Sequence, residues 1–420
     1  MRDDTASGSQ PDLLAHVLDA YLSSSDGELT NQELYAAVAR SGALSPAALR
    51  QVEAVGRAGR RHNLGQRAVR WTQQTLKGMG LVEHAAERGV WRLAERTRTG
   101  LHAAAPGVQL VAFSTRLGVA VWGACESVLA GLDQPITLCC TSPPYLLAKQ
   151  RAYGNPAGER EYIDFLLRAI EPIAKHLAPG GSICLNLPND SFLPGLPARS
   201  MYLERLVLAL GDTFSLQLMD RLVWSNPSRP PGPVQWASKT RQQLNSGFEF
   251  IYWFTNDPSR VPADNRRVLE AHTRRHLALM AAGGEQREEV YGDGAYRLRP
   301  GSYANVTPGR IPKNVLVRGH RCADTLRYRA DAAALGLPAH GAIQPLSIPD
   351  FLIRFLTQED DLVVDPFGGT LKTGIAAERL GRRWLVVEKI LDYVRASAER
   401  FRGFEGFHMP EKIHRWPHAA

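Results

Sequence analysis

The chain is short of cysteine, of long apolar runs and of repeats, and each shortage removes a class of explanation. Its five cysteines, Cys125, Cys139, Cys140, Cys184 and Cys322, are odd in number and match neither a zinc-knuckle spacing nor a disulfide framework. Reduced thiols and no metal site are therefore expected. No apolar stretch approaches the roughly 20 residues needed to cross a bilayer, and the polar opening MRDDTASGSQ is unlike a secretory signal. The expectation is a soluble, cytoplasmic protein with no membrane partner. There is neither a G-x-G-x-x-G fingerprint nor a Gly-Lys-Ser/Thr phosphate cradle, so the sequence offers no phosphate-bearing dinucleotide or nucleotide triphosphate a ready site.

What is present is ordinary globular composition, 44% hydrophobic over 420 residues, which is too long for one common core. A net charge of +8 suits a polyanionic partner. The first hundred residues read as three helices, LLAHVLDAYLSS, LTNQELYAAVARSG and AVRWTQQTLKGMG, followed by a hairpin, LVEHAAERGVWRLAERT. RTRTGLHAAAPG then reads as a linker. Beyond it PITLCC, SICLNL, FEFIYWF, DLVVDPF and RWLVVE are short apolar runs suited to a sheet buried on both faces, with helical stretches such as YIDFLLRAIEPIAKHL between them. That alternation predicts a doubly wound α/β domain. Residues 257–340 interrupt it with charge and glycine and read as an insertion.

Two stretches carry chemistry. In DLVVDPFGGTLKTGIAAERLGRRWLVVEK a strand ends in Asp365, a glycine turn and a helix follow, and the next strand ends at Glu388, 19 positions after Gly369. Glycines there admit a ligand to the backbone, and an acid at that distance accepts hydrogen bonds from ribose hydroxyls. A nucleoside cofactor with an amino-acid tail and no phosphate fits, with Asp365 toward an ammonium group and Phe367 against the adenosine or sulfonium. In the second stretch, PITLCC runs into TSPPY, a proline turn at the carboxyl end of a strand. Proline lacks an N–H, so the carbonyls of Ser142 and Pro143 can remain acceptors for an NH₂ group, while Tyr145 supplies a face on which an extruded base can stack.

Together TSPPY and DPFGGT resemble the catalytic and cofactor motifs of DNA amino-methyltransferases, in the order of their β class, and the Ser-Pro-Pro-Tyr form resembles the cytosine-N4 type. Further similarity runs from about residue 107 to 402, through HLAPGGSICLNL, RQQLNSGFEFIYWF, GRIPKNVL with Tyr328, and HGAIQPLSIPDFLIRFL, where His340, Ala342 and Pro345 match and Gln344 replaces a usual Phe. The resemblance implies a Rossmann-like methyltransferase sheet with an inserted target-recognition region, S-adenosylmethionine as cofactor and duplex DNA as substrate. It implies catalytic roles for Ser142, Pro143, Pro144 and Tyr145, and cofactor binding by Thr141, His340, Asp365, Phe367, Gly368, Gly369, Thr370, Lys372 and Glu388. Two departures stand out: VWGACESVL has no acid directly after Gly123, leaving Glu126 as a substitute, and Leu371 and Lys372 replace small residues of the loop.

The N-terminal hundred residues resemble the winged-helix modules of restriction and modification proteins, and the basic cluster with Arg57, Arg60, Arg61, Arg67 and Arg70 suits phosphate binding. A module that only touches protein is the alternative. In the insert Arg310, Lys313, Arg318 and Arg321 are the candidate DNA contacts. The resulting division is a winged-helix module at 1–100, catalytic half at 107–256, recognition insert at 257–339, cofactor half at 340–405 and tail at 406–420. A cognate restriction endonuclease is a candidate partner, and a monomer or homodimer is expected. An adenine-N6 enzyme on the same scaffold and a DNA-binding regulator without turnover remain as alternatives. Cysteine-based ring methylation is disfavoured because its Pro-Cys dipeptide is missing, which leaves Cys139 and Cys140 as strand residues.

Overall fold

The computed structural model describes residues 10–24, 27–55, 60–78, 81–94, 101–104, 107–146, 156, 158–189 and 191–414. The N-terminal part comprises α1 (Gln10–Leu22), β1 (Glu28–Thr30), α2 (Asn31–Arg40), β2 (Val52–Val55), β3 (Arg60–Asn63), α3 (Leu64–Gly78), β4 (Val82–His84) and β5 (Val90–Leu93). Thr30 opens α2 through a reciprocal cap with Glu33, its hydroxyl accepting from the Glu33 N–H at 3.3 Å while the Glu33 carboxylate accepts from the Thr30 N–H at 2.7 Å. β4 and β5 form the expected hairpin, and β1 pairs with β5 to complete a three-stranded sheet. The antiparallel pair β2–β3, which precedes α3, is an addition to the elements that periodicity predicts. RRHN is polar, so it lacks the apolar alternation by which strands announce themselves.

The rest is built on β6 (Gln109–Ser114), β7 (Gly118–Gly123), α4 (Cys125–Leu129), β8 (Ile136–Thr141), α5 (Glu159–His176), β9 (Leu177–Pro188), α6 (Tyr202–Phe214), β10 (Gln217–Ser225) and β11 (Phe248–Thr255). It continues with α7 (Arg274–Ala281), β12 (Glu289–Tyr291), β13 (Tyr296–Leu298), β14 (Val315–Val317), α8 (Ala323–Ala334), α9 (Ser347–Leu356), β15 (Leu362–Asp365), α10 (Lys372–Arg379), β16 (Arg383–Glu388), α11 (Leu391–Ala398) and α12 (Glu411–His414). One sheet of nine strands runs β14-β10-β11-β9-β8-β15-β16-β7-β6. Its five central strands, β9 to β7 in that order, are parallel.

Both faces of this sheet are buried, as the apolar runs predict. Along β8, Leu138 and Cys140 pack into one core with α9, α10 and α11, while Ile136 and Cys139 pack into the other with α5 and α6; Val363 and Val364 of β15 divide the same way. From β8 the chain moves to β9 on one side, and from β15 to β16 on the other. The crevice between the carboxyl ends of β8 and β15 is thus the switch point at which such sheets bind ligands. Both chemical stretches emerge there.

One expectation needs correction. Residues 101–104 are not a free linker: His102 and Ala104 are 4% and 3% exposed, and the backbone is bonded to the turn after β16, Ala104 N–H to Lys389 O at 2.7 Å and Leu391 N–H to His102 O at 2.9 Å. His102 also meets Asp392, donating its backbone N–H at 2.7 Å. Burial opposes the charge of Asp392, but the hydrogen bonds and charge of His102 outweigh it and hold the carboxyl below its usual range. The segment read as an insertion adds a strand to the sheet, β14 lying parallel beside β10.

Candidate active site

The glycine turn after β15 closes on the end of β16. Gly369 has φ +52° and donates its N–H to Glu388 Oε2 at 2.6 Å, while Ile390 N–H reaches Glu388 Oε1 at 2.7 Å. A Cβ on Gly368 would lie 2.3 Å from Val386 Cγ1, so only glycine permits this approach. Leu371 follows at φ +53°, an unusual conformation for a branched residue, with its side chain fully buried. Asp365 accepts from Thr141 Oγ1 at 2.6 Å and from Phe367 N–H at 3.0 Å, which ties β15 to β8 across the switch point. Thr373 at the start of α10 donates to Cys140 O at 3.0 Å. Burial pushes both acids up, Asp365 to about 6 and Glu388 to about 7, because their partners are neutral hydroxyl and N–H donors that only partly replace lost water.

The proline turn faces this pair. Tyr145 donates its hydroxyl proton to Glu249 Oε2 at 2.8 Å, and Ser142 Oγ lies 3.2 Å from the same tyrosine oxygen. With the tyrosine proton committed to the carboxylate, the serine proton is the one shared between the two hydroxyls, and the serine oxygen keeps its lone pairs. Asn186 at the end of β9 also donates to Glu249 at 3.1 Å, and Arg229 stands 3.5 Å from its other oxygen. Burial and then the Glu249 charge raise the Tyr145 hydroxyl well above its usual pKa, which keeps it a donor.

One cavity of about 390 Å³ joins the two stretches. Ser142, Pro143, Pro144 and Tyr145 line it together with Asp365, Phe367, Gly368, Gly369, Thr370, Lys372, Glu388 and His340. Thr141 lies beneath, reaching the site through Asp365. Glu126 lines the wall beyond Gly123. His340 accepts the Ala342 N–H on Nδ1 at 3.1 Å and packs edge-on against Tyr393. Lys372 is held by a buried cluster: its ammonium pairs with Asp324 and receives support from Thr325 Oγ1 at 3.0 Å, and Arg400 meets the same Asp324 oxygen at 2.5 Å. Burial opposes the charge of Asp324, but Arg400 and Lys372 outweigh it and keep the carboxyl below its usual range. Cys139 and Cys140 lie in β8, where burial and then the Asp365 charge push both thiols up.

Sequence reasoning missed Glu249, Asn186, Asn226, Arg229 and His320. Glu249 and Asn186 sit among apolar strand residues, and a lone charge in FEFIYWF was the available signal. The candidate DNA-binding residues lie elsewhere. Arg61 is exposed on β3, and Arg67 and Arg70 are exposed on α3, sharing one face with Trp71 and Gln74; the Arg60 side chain and Arg57 lie outside the described residues. Lys313 and Arg321 are exposed, whereas Arg310 and Arg318 converge on Glu270 at 2.6 and 3.8 Å.

A parallel-cored sheet that brings a proline turn and a glycine turn with two buried acids to one switch point defines a doubly wound α/β scaffold with its cavity where such sheets bind ligands. The chain belongs to the N6/N4 DNA methylase family, whose profile, described as DNA methylase, matches residues 136–399, and residues 12–103 match the Mrr N-terminal domain. Over 275 residues it is 33% identical to the type II methyltransferase M.PvuII of Proteus hauseri, spanning 64% of this chain and 79% of that protein. It is 24% identical over 267 residues to the type II methyltransferase M.BglII of Bacillus subtilis, 62% of each. The solved PvuII DNA methyltransferase, described as cytosine-N4-specific, superposes with a TM-score of 0.56 at 30% identity over 73% of this chain and 93% of that one.

Proposed function

We propose that the protein transfers a methyl group from S-adenosylmethionine to N4 of cytosine in specific sites of duplex DNA, acting on a base flipped into the cavity. The observation that carries this reading is the direction of the hydroxyl chain from Ser142 through Tyr145 to Glu249. An exocyclic amino group is a poor nucleophile because its lone pair is delocalised into the ring. Acceptors on its two protons draw the nitrogen toward tetrahedral geometry, and the Ser142 oxygen and the Pro143 carbonyl are those acceptors. Pro144 stiffens the turn that aims them. The face of Tyr145 receives the base, while its hydroxyl orients the serine. In-line geometry and this fixed field supply most of the acceleration.

The cofactor supplies an electrophilic sulfonium methyl. The residues fit it on chemical grounds: two buried carboxyls raised by desolvation gain from an ammonium group near Asp365 and from ribose hydroxyls at Glu388. Phe367 offers an apolar face, and Gly368, Gly369 and Thr370 allow close approach. Asp324 balances only one of the three cations that meet it, the buried Lys372 and Arg400 and the half-exposed Arg379, which leaves positive charge at the wall for the cofactor carboxylate. His340 roofs Gly369, Thr141 fixes Asp365, and Glu126 stands toward the adenine.

The winged helix over residues 1–100 and the insert over 257–339 are read as DNA-contacting modules around the catalytic half at 107–256 and the cofactor half at 340–405. Arg61, Arg67, Lys313 and Arg321 meet phosphate, and Arg60 belongs to the same basic stretch. Arg310 and Arg318, gathered by Glu270, shape the insert beside them. A cognate restriction endonuclease is the proposed biological counterpart. The test is incubation with methyl-labelled S-adenosylmethionine and unmethylated duplex DNA, followed by digestion to nucleosides. N4-methyldeoxycytidine is expected; N6-methyldeoxyadenosine as the labelled product would replace this reading with the adenine one.

A further inference from the structure

The cavity extends past the catalytic turn, away from Asp365 and Glu388, to Trp224, Asn226 and His320. These side chains come from the end of β10 and from the segment after β14, and they are locked together. Arg318 N–H donates to Ser225 O at 3.0 Å, and Trp224 Nε1 donates to Arg318 O at 2.7 Å, so the chain leading to His320 continues the pairing of the two strands. Asn226 accepts the Ser228 N–H on Oδ1 at 3.0 Å, an Asx turn ahead of which its backbone N–H is held by Gly247 O at 3.0 Å. That bond fixes which end of the amide is oxygen. Its Nδ2 therefore faces His320 Nδ1, at 3.4 Å, as a donor.

An imidazole that accepts on Nδ1 carries its proton on Nε2 when neutral. His320 thus offers the cavity a positioned N–H donor on the side of the catalytic turn opposite the cofactor acids. Moving round a pyrimidine ring from the N4 amino group, the next two polar positions of cytosine, N3 and O2, are both acceptors. In adenine the position after N1 is a carbon bearing hydrogen. Adenine N1 is an acceptor that matches cytosine N3, so the two bases differ one position further on, where a donor meets O2 in cytosine and a carbon-bound hydrogen in adenine.

We propose that His320, held in its Nε2–H tautomer by Asn226, reads the ring edge of the flipped base and selects cytosine over adenine. This inference rests on the cytosine reading above and assigns its specificity to residues outside the Ser-Pro-Pro-Tyr turn. A site built to hydrogen-bond a substrate group discriminates strongly against an analogue lacking it, because its own polar group would be left unpaired.

The experiment compares wild type, His320→Leu, His320→Gln and Asn226→Ala by initial rates on unmethylated duplex DNA, with both N4-methyldeoxycytidine and N6-methyldeoxyadenosine quantified and cofactor affinity measured separately by calorimetry. His320→Leu should lose at least about tenfold in kcat/KM for cytosine with cofactor affinity unchanged, and the share of methyldeoxyadenosine should rise. His320→Gln keeps an N–H donor and should recover part of the cytosine rate; Asn226→Ala, which frees the tautomer, should fall between. Wild-type rates and product ratio in His320→Leu would overturn the proposal, as would equal loss in Leu and Gln variants with no change in ratio. If wild type makes no N4-methyldeoxycytidine at all, the cytosine reading itself fails and this inference falls with it.

Discussion

Ser142, Tyr145 and Glu249 form a directed chain in which each hydroxyl has one place to give its proton. Tyr145→Phe breaks it while keeping the ring, so single-turnover transfer should fall about tenfold, the value of one hydrogen bond, with cofactor affinity unchanged. An unchanged rate would mean that the Pro143 carbonyl alone suffices. Asp365 and Glu388 make a second residue-scale prediction. A carboxyl whose pKa is raised by folding holds its proton more tightly folded than unfolded, so its contribution to stability is present below about 4 and is lost as pH rises through about 6 for Asp365 and about 7 for Glu388. On the role proposed for Asp365, binding of a cationic cofactor has the opposite sign, since it needs that carboxyl ionised. Affinity should weaken by up to about tenfold per pH unit below about 6, with proton release on binding across that range. Calorimetry over it tests this, and a flat profile contradicts it. These roles are legible in part: TSPPY and Glu388 stand out by position, whereas Glu249 is hidden because an isolated acid in an apolar strand gives no sign of the tyrosine brought against it from 104 residues away.

Helix α10 begins at Lys372, and α8 and the turn after α11 bring Asp324 and Arg400 against it in the interior. Removing the shared anion leaves two buried cations uncompensated. Asp324→Leu should cost roughly 3–5 kcal/mol in urea unfolding, as breaking a buried pair does, and should lower cofactor affinity as well; an unchanged midpoint would show that the cluster holds nothing together. At this scale the sequence is a good guide where apolar periodicity speaks. β8, β9, β11, β15, β16 and α5 lie where their runs predict, because burial on both sheet faces demands unbroken Val, Ile, Leu and Cys. It is a poor guide where backbone pairing does the fixing. Strand β3 of the β2–β3 pair is polar, and the strap at 101–104 is held by main-chain bonds and by His102 on Asp392, which no run of side chains announces.

At the scale of the whole molecule, one sheet gathers the glycine turn, the proline turn and the wall of Trp224, Asn226 and His320 around one cavity, while cationic side chains stand exposed on α3 and on the insert. If α3 binds DNA, the double substitution Arg67→Ala, Arg70→Ala should flatten the slope of log affinity against log salt by about 2, roughly 0.9 for each phosphate that is no longer neutralised, with little effect on the product. An unaltered slope would assign the module to protein binding instead. The family is readable from the sequence because both stretches are local; the wall made by Asn226 and His320 is not, because its two halves meet only once β14 has paired with β10. The central claim is that the methyl carbon becomes bonded to the cytosine amino nitrogen. It is tested most directly with DNA carrying ¹⁵N at cytosine N4 and a cofactor carrying ¹³C in its methyl group. A one-bond carbon–nitrogen coupling in the product nucleoside is the expected result, and label found on a ring carbon or on adenine would contradict the account.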